Sequence, residues 1–181
     1  MATWLQTTAV RVTRIHFLFI AVYILATIVF DSWNLYTHDA VRQLWTAAGI
    51  LLGINTILWY LARMKYANSS MYVFLVLGLI SADILFAAYN VYWQRGLASK
   101  SVMLFTLPIV TAATLRSRST LLATTSLSVA AYSVVTVRYF FQNYGESYRV
   151  ELWGTVGLYS AVLFILSALL LVIIQPKNER F

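Results

Sequence analysis

Six mainly apolar stretches follow one another along this chain, at residues 15–33, 43–62, 71–93, 102–115, 121–141 and 152–174. A helix that crosses a hydrocarbon core of about 30 Å needs roughly 20 such residues. The pattern therefore predicts an all-α polytopic membrane protein with six transmembrane helices. A β-barrel is excluded, because the runs lack the strict alternation and turn spacing of lipid-facing strands. Of the 181 residues, 61% are apolar and only 10% are Asp, Glu, Lys or Arg, against about 25% charge in an ordinary soluble domain. That balance excludes a soluble enzyme. The fourth run is short and contains Pro108; either its polar flanks complete it, or it is kinked and sits partly inside the bundle. The first run does not read as a cleavable signal, since a polar stretch with Arg11 and Arg14 precedes it and no A-x-A-like site follows.

The basic residues set the expected orientation, because cytoplasmic segments near helix ends hold the excess of Lys and Arg. Eight of the thirteen fall in alternate segments: Arg11, Arg14, Arg63, Lys65, Arg116, Arg118, Lys177 and Arg180. The opposite side mixes Arg42, Arg95, Lys100, Arg138 and Arg149 with Asp31, Asp39, Glu146 and Glu151. Both termini are thus expected in the cytoplasm, with a tail at 1–14, a membrane domain at 15–174 and a tail at 175–181. Trp33, Trp45, Trp93 and Trp153 gather near the outer boundary as an aromatic belt would. The net charge of +7 reads as an inner rim facing anionic lipid. No basic soluble domain exists to present a patch to nucleic acid.

Ionisable residues inside a span are costly and face a bundle interior or a cavity. Asp83 lies twelve residues into the third run, roughly 15 Å below its outer end at about 1.5 Å per residue. Asn55 of the second run and Tyr132 of the fifth fall at about 18 and 14 Å by the same arithmetic. The three are expected to share one midplane layer, in which a protonated Asp83 carboxyl could donate to the Asn55 amide oxygen. Arg138, near the outer end of the fifth run, either snorkels to the headgroups or closes an outer network with neighbours such as Asn90, Asp31 and Glu151. His16 reads as the cytoplasmic end of the first span and His38 as external, so haem ligation between them is not expected. With no Cys and two His, no metal cage and no cofactor are expected. No nucleophile–base pair, P-loop or pair of catalytic carboxylates is present, and the chain reads as carrying no catalytic domain.

One region goes beyond composition. It comprises Ser81-Ala82-Asp83-Ile84-Leu85, then Val91 to Ser99, then Leu104-Phe105-Thr106-Leu107-Pro108-Ile109-Val110, and Leu115-Arg116-Ser117-Arg118-Ser119 running to Ala131-Tyr132-Ser133. It resembles the membrane region of six-helix bacterial sensor histidine kinases of the PilS type. The resemblance covers all six runs in layout and residues 81–133 in detail. The double glycine of the family's outer turn is Arg95-Gly96 here, and no phosphoacceptor helix or ATP-binding domain occurs within the chain. The resemblance implies a sensory domain in the bacterial cytoplasmic membrane, a homodimer, and output through the sixth helix past Gln175-Pro176. Its signal would be a lipid, another lipid-soluble ligand or a transmembrane helix of a partner protein. Asn55, Asp83, Tyr132, Asn90 and Arg138 are the expected signal-sensing residues. The rival resemblance is to substrate-binding subunits of energy-coupling-factor vitamin importers, which also have six helices and short loops. Their outer pocket would draw here on Tyr89, Asn90, Trp93 and Arg138.

Overall fold

The computed structural model describes residues 4–96, 99–143 and 149–174, and among these it is entirely helical, with no strand. The order is α1 (Trp4–Ser32), α2 (His38–Arg63), α3 (Ser70–Trp93), a 3₁₀ segment (Lys100–Phe105), α4 (Thr106–Ala113), α5 (Arg118–Asn143) and α6 (Arg149–Ile174). Five of these, all but the 3₁₀ segment and α4, are long and apolar enough to cross a membrane. The expected tail at 175–181, with Gln175 and Pro176, lies outside the described residues, as does Glu146.

Helix α1 begins at Trp4, well before the apolar run at 15–33, because Arg11 and Arg14 project from one exposed side while Ala9, Val12 and Thr13 are buried on another. A charged residue interrupts hydropathy but not a helix. Thr37 caps α2 by accepting from the Ala40 amide at 3.3 Å, and Asp39 in the first turn and Arg63 in the last suit the helix dipole. Ser117 does the same for α5, accepting from the Thr120 amide at 3.3 Å. Pro108 explains the broken fourth segment. It has no N–H to give to a preceding turn, and it is tolerated in the first turn of a helix. The α-helix accordingly restarts at Thr106, and the chain before it winds as 3₁₀. A 3₁₀ turn rises faster than an α turn, so the whole stretch spans about 24 Å. Its buried Val102, Phe105, Pro108, Ile109 and Ala112 place it inside the bundle.

Helix α3 is the central post. Its Ile80, Ile84, Ala87 and Val91 pack in a large apolar cluster with Phe105, Ile109, Tyr132 and Phe140 of the second half. Phe86 packs in a smaller cluster with Ile20 of α1 and with Ala47 and Leu51 of α2. A helix covered on both sides must be apolar all round, which is what Leu79 to Val91 provides around Asp83 and Asn90. Helix α6 packs against α4 and α5 at the periphery.

Helices α1 and α3 run parallel with a constant offset. His16 meets Asp83, Phe19 meets Phe86 and Tyr23 meets Asn90, each pair 67 residues apart in sequence. The spacing alternates between three and four, as in a coiled-coil seam. The same offset sets buried Ala9 level with Val76 and Val12 level with Leu79. Helix α2 is antiparallel to α1: Gln6 donates to the Ala62 carbonyl at one end, and Asn55 donates to the Thr13 carbonyl further along.

Candidate functional site

The site is built from this seam. Because α1 starts at Trp4, His16 lies about 18 Å along it rather than at its end. His16 and Asp83 are each 1% exposed, and His16 Nε2 stands 2.8 Å from Asp83 Oδ2. The other ring nitrogen, Nδ1, is 2.9 Å from the Val12 carbonyl oxygen. A carbonyl only accepts, so Nδ1 carries a hydrogen and donates. Across the Nε2–Oδ2 contact there is then one proton. With none, two lone pairs would face each other at 2.8 Å; with two, the hydrogens would collide. The pair is therefore either imidazolium–carboxylate or imidazole–carboxylic acid, and its net charge is zero in both forms. That neutrality is what lets two titratable groups lie in an apolar interior.

Two acceptors in this region have no partner among the described residues: Asp83 Oδ1 and Asn55 Oδ1. The Asn55 amide cannot flip to relieve its oxygen, because its Nδ2 donates to the Thr13 carbonyl at 3.0 Å. An unsatisfied buried acceptor costs about 1–3 kcal/mol. Asp83 and Asn55 thus each use one polar atom in a hydrogen bond and keep one acceptor unpaired among the described residues.

Above the pair, His16 packs edge-on against Phe19, and Phe86 packs edge-on against both Phe19 and Tyr23. A hydrogen-bonded chain then continues to the Trp93 end of the bundle. Tyr23 donates to Asn90 Oδ1 at 2.5 Å, and Gln94 Nε2 donates to the same oxygen at 3.5 Å. Gln94 Oε1 in turn accepts from Ser101 at 2.5 Å and from Tyr36 at 3.3 Å. Tyr36 lies in the loop between α1 and α2, where burial pushes its phenol above the ordinary range; it stays protonated and donates.

The expected midplane layer does not form as a set. Asp83 turns to His16 on α1, Asn55 reaches the α1 backbone, and Tyr132 lies among Phe105 and Tyr159, with ring centroids 6.0 and 5.9 Å away. Helix α3 stands between Tyr132, which packs in the cluster of the second half, and the α1–α2 side. Asn90 is fully buried and belongs to the Tyr23–Gln94 chain. Arg138 is exposed on α5 and makes no ion pair among the described residues. Sequence reasoning missed His16, Tyr23 and Gln94. The spacing Ala9, Val12, His16, Phe19, Tyr23 continues through Arg11 and Arg14 and was the signal that could have found the first two.

Two concavities flank the seam. A lateral apolar groove of about 230 Å³ between α2 and α3 is lined by residues that include Ala47, Leu51, Ala82, Phe86 and Tyr89. Phe86 is at once its wall and a member of the seam. A second cavity, of about 280 Å³, opens at the Trp93 end and is lined by Tyr36, Tyr92, Trp93, Arg95, Tyr139 and Asn143, with Thr37 and Ala40. Of the four residues expected in an importer-like pocket, Trp93 lines this vestibule and Tyr89 the lateral groove, while Asn90 and Arg138 line neither. Compared with family models, with curated proteins and with solved structures, the chain matches none.

Proposed function

We propose that this chain is the membrane-embedded sensory domain of a signal-transducing, histidine-kinase-like receptor. In this reading it crosses the bacterial cytoplasmic membrane six times, the 3₁₀–α4 stretch being the fourth crossing, with both termini inside. A sensor needs two packings of similar energy and a signal that favours one of them. The observation that supports this reading is the one-proton His16–Asp83 pair, buried in a parallel seam beside two unsatisfied acceptors. Moving that proton turns a pair of opposite charges into two neutral groups without changing the total, and each form prefers its own surroundings. The lateral groove favours a lipid-soluble signal, because an apolar ligand there would press on Phe86 and hence on Phe19 and Tyr23. Helix α6 is the exit toward an output module, and homodimerisation belongs to the same proposal.

The test uses the absence of cysteine from the chain. Spin labels at exposed Val22 of α1 and Val172 of α6 report the α1–α6 distance by pulsed electron resonance in nanodiscs. Two distance populations are expected in the parent, and Asp83→Asn should collapse them toward one. A single distance, identical in both proteins, would sink the sensory reading. The vestibule supports a second reading, the substrate-binding subunit of an energy-coupling-factor vitamin importer; stoichiometric co-purification of a vitamin would favour it.

A further inference from the structure

The vestibule at the Trp93 end has a feature that packing does not account for. Arg95 adopts φ +73° and Gly96 φ +56°, so two successive residues sit in the left-handed region. Gly96 is needed there twice over. Its φ suits glycine, and a Cβ would come within 2.7 Å of Tyr139 Cδ1 and 2.8 Å of Tyr139 Cβ. Arg95 has no such excuse: a side chain at positive φ is strained, and glycine or asparagine would relieve it. The arginine is exposed yet lines a concavity, and no carboxylate among the described residues pairs with it.

Its surroundings are specific. Tyr92 stands edge-on to both Trp93 and Tyr139, with ring centroids 5.8 and 5.6 Å apart. Tyr92 also donates to Gln142 at 2.9 Å, which ties its ring to α5, and Asn143 donates to the Tyr139 carbonyl at 2.9 Å. A guanidinium lining the same cavity as these rings offers planar two-pronged donation to an anion, with aromatic surface for the group attached to it. The volume of about 280 Å³ lies just below the range of drug-sized ligand sites and suits a group the size of a lipid headgroup. The tryptophans at this end, Trp33, Trp93 and Trp153, mark the level of a bilayer interface, where lipid phosphates lie.

We propose that the vestibule is a binding site for an anionic phosphate group, with Arg95 as its principal contact and Tyr36, Tyr92 and Trp93 against the attached moiety. The site is independent of which membrane face it occupies and of whether the chain signals. The test uses the full chain in nanodiscs of equal phosphatidylglycerol and phosphatidylcholine, with retained lipid counted by native mass spectrometry. The parent is expected to retain phosphatidylglycerol selectively. Arg95→Gly and Arg95→Asn should each lower that retention roughly tenfold, the scale of one charge-assisted contact, while melting no lower than the parent. Arg138→Gln removes the same charge from the same end outside the vestibule and should leave retention unchanged. In phosphatidylcholine discs, saturable quenching of tryptophan fluorescence by inorganic phosphate that disappears in Arg95→Gly would identify free phosphate as the source and equally support the site. If both Arg95 variants behave as the parent toward both probes, or if Arg138→Gln loses as much, the proposal fails.

Discussion

At 2.8 Å, the contact between His16 Nε2 and Asp83 Oδ2 holds one proton, and this count predicts how substitutions behave. Asp83→Asn keeps the shape and supplies an N–H that can donate to Nε2, so its stability should lie within about 1 kcal/mol of the parent, the scale of one hydrogen bond. Asp83→Ala leaves a buried ring nitrogen without a partner and should cost about 1–3 kcal/mol. Replacing both residues, by His16→Leu with Asp83→Leu, should be neutral or stabilising by about 1–4 kcal/mol, as for other buried pairs exchanged for apolar side chains. Titration with SDS measures all three. A double leucine variant far less stable than Asp83→Ala would mean that the pair serves the fold rather than a switch. Asp83 was legible in the sequence because it stands alone in an apolar run. Its partner was not, since the two arginines just before His16 set the span boundary at Ile15 and left His16 at the very end of the span.

At the level of elements, counting residues gives position along a helix once its ends are known, but not the direction of a side chain around the axis. Tyr132 lies among Phe105 and Tyr159 on the second-half side of α3, away from His16 and Asp83. Only the set of neighbouring helices decides that, and hydropathy carries no record of neighbours. The fourth segment was half legible: Pro108 announced a break, while the tighter 3₁₀ winding before it depends on burial of Val102 and Phe105 in the bundle. The turn after α3 is the element most exposed to a direct check. Gly96→Ala would drive a methyl into Tyr139 at a backbone conformation that already disfavours it, and a loss of about 1–3 kcal/mol is expected. Thermal unfolding in detergent will measure it; an unchanged midpoint would mean that the turn can relax away from α5.

For the whole molecule, the two ends of the bundle are chemically distinct. At one end Arg63 lies over Trp59 at 3.7 Å and Arg116 lies near Trp4 at 5.1 Å, so cation–π contacts tie the basic residues there to the aromatic rim. At the other end Trp33 and Trp153 are exposed. The proposed orientation puts the Arg63 end inside. Single cysteines at Asn34 and Asn68, both exposed and in turns at opposite ends, should then react oppositely with a membrane-impermeant maleimide applied to intact cells. Asn34→Cys is labelled and Asn68→Cys is protected until lysis; the reverse pattern would invert the topology.

The constant offset between α1 and α3 also limits how the bundle can move. Sliding α3 by one turn, about 5.4 Å, would set Asp83 against Val12 or Phe19 and His16 against Leu79 or Phe86. Either shift would strand both members of the pair among hydrocarbon side chains. Polar would meet polar again only after two turns, about a third of the membrane's thickness, when His16 would come level with Asn90. The seam thus acts as a ratchet without intermediate teeth. Helices locked in this way cannot work as pistons, and any rearrangement they relay must be a rotation or a tilt about the His16–Asp83 level.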